Sequence, residues 1–309
     1  MKKGLFYILL LTLVATGCGT GIESTKAVSE KDVKKALAQR DEGKKPTPSL
    51  TLRPDSVALW QAGKLFYVTD DQARPIFAHS NAYCTDSLHL AGRRIAYKGY
   101  DTESMLDNRK TVTLEFTDGN NTYSYRTNRT MSELHRGYSI PFLIEMDVVE
   151  QVAAQITGKE FWVKTRIWYD AESEKMIDGR QFVKVKIDSV LPGNKVLPLK
   201  VKFTTADTGE QAMVWLSTGH SAMHSRDFDS QFSRDDLHKS YPEISNENWA
   251  HITRGELVLD MSKEECRLAK GAPKNMVQHP DQTGLREYWY YDGGGYLYFQ
   301  DGLLKQFRE

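Results

Sequence analysis

Apolar and polar residues alternate with period two along several stretches of the chain, most clearly Thr111 to Phe116 (TVTLEF) and Phe182 to Ile187 (FVKVKI). Both are rich in β-branched and aromatic residues, the pattern of a strand with one face in a core and the other in water. Similar patterns predict strands at Thr122 to Thr127, Val163 to Tyr169 and Val196 to Thr204. Three segments open alike, with a small residue, a glycine and a basic residue ahead of apolar ones: Ala62-Gly63-Lys64, Ala91-Gly92-Arg93 and Thr157-Gly158-Lys159. Each predicts a glycine turn feeding a strand.

The period changes after Pro141. In PFLIEMDVVEQVAAQI, Phe142, Met146, Val149, Ala153 and Ile156 fall on one helical face, and proline suits a first helical position. The expected fold is α+β and predominantly β. It comprises one or two small antiparallel modules, barrel-like (SH3-like) or sandwich, over residues 56–135 and 136–218, with the helix between them; a single larger sandwich gives the same patterns. Residues 219–250 are rich in His, Ser, Asp and Asn without a steady period and predict a polar connection. Asn246 to Arg254 overlaps its end as a short helix, with Trp249 and Ile252 three apart.

The segment 251–309 is the most explicit. Ser262 followed three residues later by Glu265 has the capping-box spacing, so a helix should start at Lys263. Met261 and Cys266 are spaced as a hydrophobic staple, and Gly271 and Pro273 supply a stop. Asn275 to His279 follows, with a turn at Pro280 to Gly284. Then come Arg286 to Tyr291, Tyr296 to Gln300 and Leu303 to Arg308, separated by Gly293 to Gly295 and by Asp301-Gly302. This is an antiparallel meander, expected as a three-strand sheet packed on the helix. Strand parity puts Trp289, Tyr291, Leu297 and Phe299 on one face and Tyr288, Tyr290, Tyr296 and Tyr298 on the other.

The elements LVLDMSKEECRLAKGAP and EYWYYDGGGYLYFQDGLLKQF, in that order, resemble the C-terminal unit of the SmpA/OmlA (BamE-like) lipoprotein family. The family pattern is G-M-(S/T)-x-x-(E)-(V/C), a G-x-P stop, W-x-Y and L-x-F-x-(D/N)-G-x-L. The resemblance covers roughly a sixth of the chain and departs from the pattern at Asp260, where the family places glycine. It implies a non-enzymatic envelope lipoprotein that supports assembly or integrity of outer-membrane machinery. It also orients W-x-Y and L-x-F toward the helix, leaving the four tyrosines as the candidate partner-binding face. Tyrosine joins apolar area to a polar tip, as recognition surfaces use; the same face could instead pack inside the chain.

The N-terminus implies the same address. Lys2 and Lys3, the apolar run Leu5 to Val14 and the small residues Ala15-Thr16-Gly17 read as a signal peptide over residues 1–17. Cys18 directly after it resembles a lipobox, with Ala15 where Leu is usual, so Cys18 is the expected lipidation site. Residues 18–55, with a Pro-spaced, Lys-rich end, read as a tether. Removing two lysines with the signal leaves 39 basic against 41 acidic residues from an initial 41 of each. That balance gives no concentrated basic face for nucleic acid. The expected partners are the membrane, through the anchor, and an envelope protein.

Little in the chain points to catalysis, and no cofactor is implied. His220 and His224 have the i, i+4 spacing used by zinc hydrolases, but no glutamate adjoins His220 and Gly219 opposes a long helix. A metal-dependent hydrolase using that loop is the alternative from another class. A glycan- or peptidoglycan-binding lipoprotein is a third. Ser217 and Ser221 lack a G-x-S-x-G elbow, and Gly293 to Gly295 joins two strands rather than a strand and a helix, as a hairpin turn does. With Cys18 lipidated, Cys84 and Cys266 remain, either bridged or as two thiols.

Overall fold

The computed structural model describes residues 50, 52, 55–79, 89–104, 109–134, 138–218, 226–281 and 284–309, all within one compact unit, Pro48–Glu309. The fold is α+β and predominantly β, with every strand pairing antiparallel. Cys18, Cys84 and the expected signal and tether through residue 49 lie outside the described residues.

The first sheet contains β1 (Leu65–Val68), β2 (Phe77–His79), β3 (Arg94–Ser104), β4 (Lys110–Thr117), β5 (Thr122–Arg126) and β6 (Leu143–Glu145), in the order β2-β5-β4-β3-β1-β6. Gly63 and Gly92 have φ of 93° and 80°, a conformation that disfavours side chains bearing a Cβ, and each turns the chain into β1 or β3. These two strands pair with each other, Phe66 opposite Ile95, so two of the three glycine segments are neighbours in one sheet. The core is aromatic: Phe66 packs edge-on to Phe116 at 5.3 Å, with Trp60, Phe77, Tyr97 and Tyr123 around them. Among the described residues no bonds join the edge strands β2 and β6. The sheet is therefore open, and the barrel-like expectation gives way to a six-stranded sheet.

The second sheet follows helix α1 (Met146–Ile156). Its strands are β7 (Glu160–Val163), β8 (Ile167–Asp170), β9 (Met176–Asp178), β10 (Val183–Pro192), β11 (Leu199–Thr205), β12 (Gln211–Leu216) and β13 (Phe232–Ser233), in the order β13-β7-β10-β11-β12-β8-β9. Alternation governs β11, where Leu199, Val201, Phe203 and Thr205 are buried and the residues between them are not. Met146, Val149, Val152 and Ile156 of α1 close this core.

Three local expectations change here. The helix begins at Met146 rather than Pro141, because Leu143–Glu145 pairs with β1 as an edge strand and Phe142 turns the chain with φ 64°. Val163 to Tyr169 is not one strand. At Lys164, whose backbone N–H donates to the Gln231 carbonyl, β7 ends, and β8 starts on the far side of the sheet. The polar connection contains helix α2 (Phe228–Gln231) and β13, with Phe228 and Phe232 buried beside Phe161. Two aromatic anchors outweigh a polar average.

Helices α3 (Asn246–Arg254) and α4 (Lys263–Lys270) precede the third sheet: β14 (Asn275–Asp281), β15 (Gly284–Tyr290), β16 (Tyr296–Gln300) and β17 (Leu303–Arg308). It has four strands in sequence order, because Asn275–Asp281 pairs with β15 along its whole length; the three-strand expectation is corrected by one strand. The capping box forms. Ser262 Oγ accepts from the Glu265 N–H at 3.2 Å, and Glu265 accepts from the Ser262 N–H at 2.6 Å. Met261 and Cys266 are buried in the same cluster as Trp289. Asp260, in the family's glycine position, adopts φ 67°, the left-handed region that Asp tolerates better than most residues.

Gln181 and Phe182 join the third unit to the second sheet. Gln181, just before β10, donates to the carbonyls of Ile252 (2.9 Å) and Leu268 (2.8 Å), reaching both helices. Its neighbour Phe182 packs on Trp249 at 5.8 Å. Among the described residues no helix is long and apolar enough to cross a membrane.

Candidate functional site

The two faces of the third sheet differ in kind. On the helix side Trp289, Leu297, Phe299 and Leu304 are buried, with Trp289 4.8 Å from Phe299 and the Arg267 guanidinium 5.1 Å over the indole. Tyr291 packs at the margin and donates to the Gly271 carbonyl at 3.1 Å. One residue on this face was not foreseen. Glu287 is 2% exposed and is held by the Trp289 Nε1–H, by Gln278 at 2.7 Å and by Lys263 at 3.1 Å. Burial alone would push its carboxyl up, yet those three bonds outweigh burial and hold it below the ordinary glutamate range. A lone acid in an aromatic strand gives no sequence signal for such a cage.

The opposite face carries all four predicted tyrosines. Tyr288 stands opposite Tyr298 and Tyr290 opposite Tyr296 across β15 and β16. The Tyr288 ring lies 4.9 Å from Tyr298 and 6.5 Å from Tyr290, near parallel to the latter. Gln306 donates to the Tyr296 hydroxyl at 2.8 Å, and the Arg308 guanidinium lies 5.6 Å over the Tyr296 ring while donating to the Gly294 carbonyl. His279 meets Tyr288 edge-on at 6.3 Å. The result is a row of rings bearing hydroxyl tips, with Tyr290 42% exposed. The junction with the second sheet, through Gln181 and Phe182, runs to the helices on the other side.

A second concavity opens where β6 faces the β10–β11 turn. It is a cleft of about 530 Å3, lined among others by Leu52, Phe66, Ile140, Phe142, Ile144 and Val148. Glu145, largely buried, is among its lining residues. Lys64 bridges Glu145, at 3.1 Å, and Asp147. Burial raises the Glu145 carboxyl against the pull of Lys64. Lys195, also in the lining, is exposed, and its ammonium lies 5.0 Å over the Phe142 ring. Sequence reasoning missed this cleft, since its wall is the stretch that patterned as helix.

His220, Ser221 and His224 lie outside the described residues. Ser217 is buried at the end of β12. Among the described residues no group of three His, Cys, Asp or Glu side chains could hold a metal ion. Comparison with family models, curated proteins and solved structures finds no match. Among the described residues, the tyrosine face and the cleft concentrate surface chemistry.

Proposed function

We propose that this protein is a lipid-anchored component of the bacterial cell envelope that works by binding, as a non-enzymatic assembly or integrity factor at the outer membrane. The tyrosine face is its partner site. The observation that carries this reading is the pairing of Tyr288 with Tyr298 and of Tyr290 with Tyr296 on the face of a small sheet turned away from its helices. Aromatic residues with polar tips, held on rigid strands, present large contact area at low entropic cost, which is how binding hot spots are built. Supporting the address are the signal-like residues 1–17, Cys18, and the resemblance of the C-terminal unit to the SmpA/OmlA family.

Two measurements test the reading. Cys18→Ala should release the protein from the membrane fraction and abolish palmitate labelling; retention of both properties defeats the anchor. Crosslinking in intact cells should capture an envelope protein, and Tyr296→Ser with Tyr298→Ser should remove it. A partner captured equally by the double variant would assign the tyrosines no role in binding.

A further inference from the structure

The cleft beside β6 is a second site, distinct from the tyrosine face. We propose that it binds a free single-chain amphiphile with an anionic headgroup, a long-chain fatty acid in chemical class, with the tail inside and the headgroup at Lys195.

The lining sets the tail. Phe66, Ile140, Phe142, Ile144 and Val148 offer an apolar wall, and Leu52 closes one side. A volume of about 530 Å3 is in the range of small-ligand sites, where apolar walls supply affinity and a few polar groups set orientation. Burying a chain there yields about 0.8 kcal/mol per methylene removed from water.

The charges set the headgroup and its direction. Beside Glu145, one buried lysine, Lys64, serves two carboxylates, Glu145 and Asp147, so the balance there is negative. A carboxylate headgroup is repelled there, and an ammonium would have to displace the lysine already in place. Lys195 is exposed and contacts the Phe142 ring, and no carboxylate pairs with it among the described residues. Lys195 is therefore the lining cation without a carboxylate partner among the described residues, and at this exposed position an anionic headgroup stays partly in water. The turn carrying it is fixed by Asn194, whose side chain accepts from the N–H groups of Val196 (2.9 Å) and Leu197 (2.8 Å).

The test is equilibrium dialysis of the full chain against radiolabelled palmitate, with hexadecan-1-ol, hexadecyltrimethylammonium and phosphatidylglycerol vesicles as comparison ligands. Saturable one-to-one binding of palmitate is expected. Hexadecan-1-ol and Lys195→Glu should each weaken it by about tenfold or more, the loss of one charge-assisted contact. Val196→Trp should block the mouth; Val196 is 45% exposed, so the fold tolerates the larger ring, and an unchanged melting curve checks this. Val148→Trp fills the cleft from the opposite wall as an independent variant. No saturable palmitate binding overturns the proposal. So does palmitate binding unchanged by Lys195→Glu or by both tryptophan variants, tighter binding of the cationic amphiphile, or binding to vesicles alone.

Discussion

Tyr288 and Tyr298 face each other in register on neighbouring strands, ring centroids 4.9 Å apart, while the residues next to them, Trp289 and Phe299, meet at 4.8 Å on the other side of the sheet. Period-two geometry makes these two contacts near mirror images in distance. Their energetics differ, because one pair is sealed under helix α4 and the other meets water.

Trp289→Ala should therefore destabilise the protein by about 3–5 kcal/mol, the cost of emptying a buried aromatic site. Tyr298→Ser should cost about 1 kcal/mol or less, since a cross-strand pair on a solvated face contributes no more than that. Urea unfolding of both variants decides the matter. Comparable losses would mean the tyrosine face is itself a core surface.

Asp260 gives a backbone prediction. With φ 67° the position carries strain that glycine lacks, and the Lys305 ion pair that Asp260 makes is exposed and worth little. Asp260→Gly should be neutral or stabilising, whereas Asp260→Val should cost about 1–2 kcal/mol, the left-handed penalty for a β-branched side chain, which Asp partly escapes. A glycine variant melting below the valine variant would contradict this account.

Gln181 should act as a coupling residue. Replacing it with alanine strips the carbonyls of Ile252 and Leu268 of a shared donor, an expected loss of about 1–3 kcal/mol. Hydrogen exchange should quicken in helices α3 and α4 and stay unchanged in β10 and β11. Uniform acceleration through the whole chain would place the junction elsewhere.

The Glu287 cage predicts an acid limb. Its bonds hold the folded-state carboxyl below the unfolded value of about 4.3, so its stabilisation is complete above that pH and is lost as pH falls through the lower folded value. Glu287→Gln should lower stability at pH 7 and flatten the decline below about pH 4. Parallel stability curves for the two proteins, offset but equally steep, would remove Glu287 from the acid transition.

Local rules read much of the C-terminal unit directly. The Ser262 and Glu265 cap, the Met261 and Cys266 staple and the strand parity that splits Trp289 from Tyr288 all involve residues within a few positions of each other. Near neighbours fix such geometry whatever surrounds them. The same holds for Gly63, Gly92 and Gly158, each at positive φ ahead of a strand.

Where a distant partner competes for the backbone, local pattern lost. Phe142 to Glu145 has helical spacing, but β1 offers a sheet edge, and pairing there satisfies the same backbone groups while leaving Phe142 to wall the cleft. Phe228 and Phe232 read as part of a polar connection until β7 and Phe161 supplied something to pack on. Sequence alone thus determined caps, turns, strand parity, the class of the fold and a tyrosine face. Tertiary structure decided which strands became edges, how the Glu287 carboxylate is caged, and that Lys195 and Glu145 line one apolar cleft. Those arrangements depend on contacts between separate elements, such as Lys263 with Glu287 and β1 with β6, which no local period encodes.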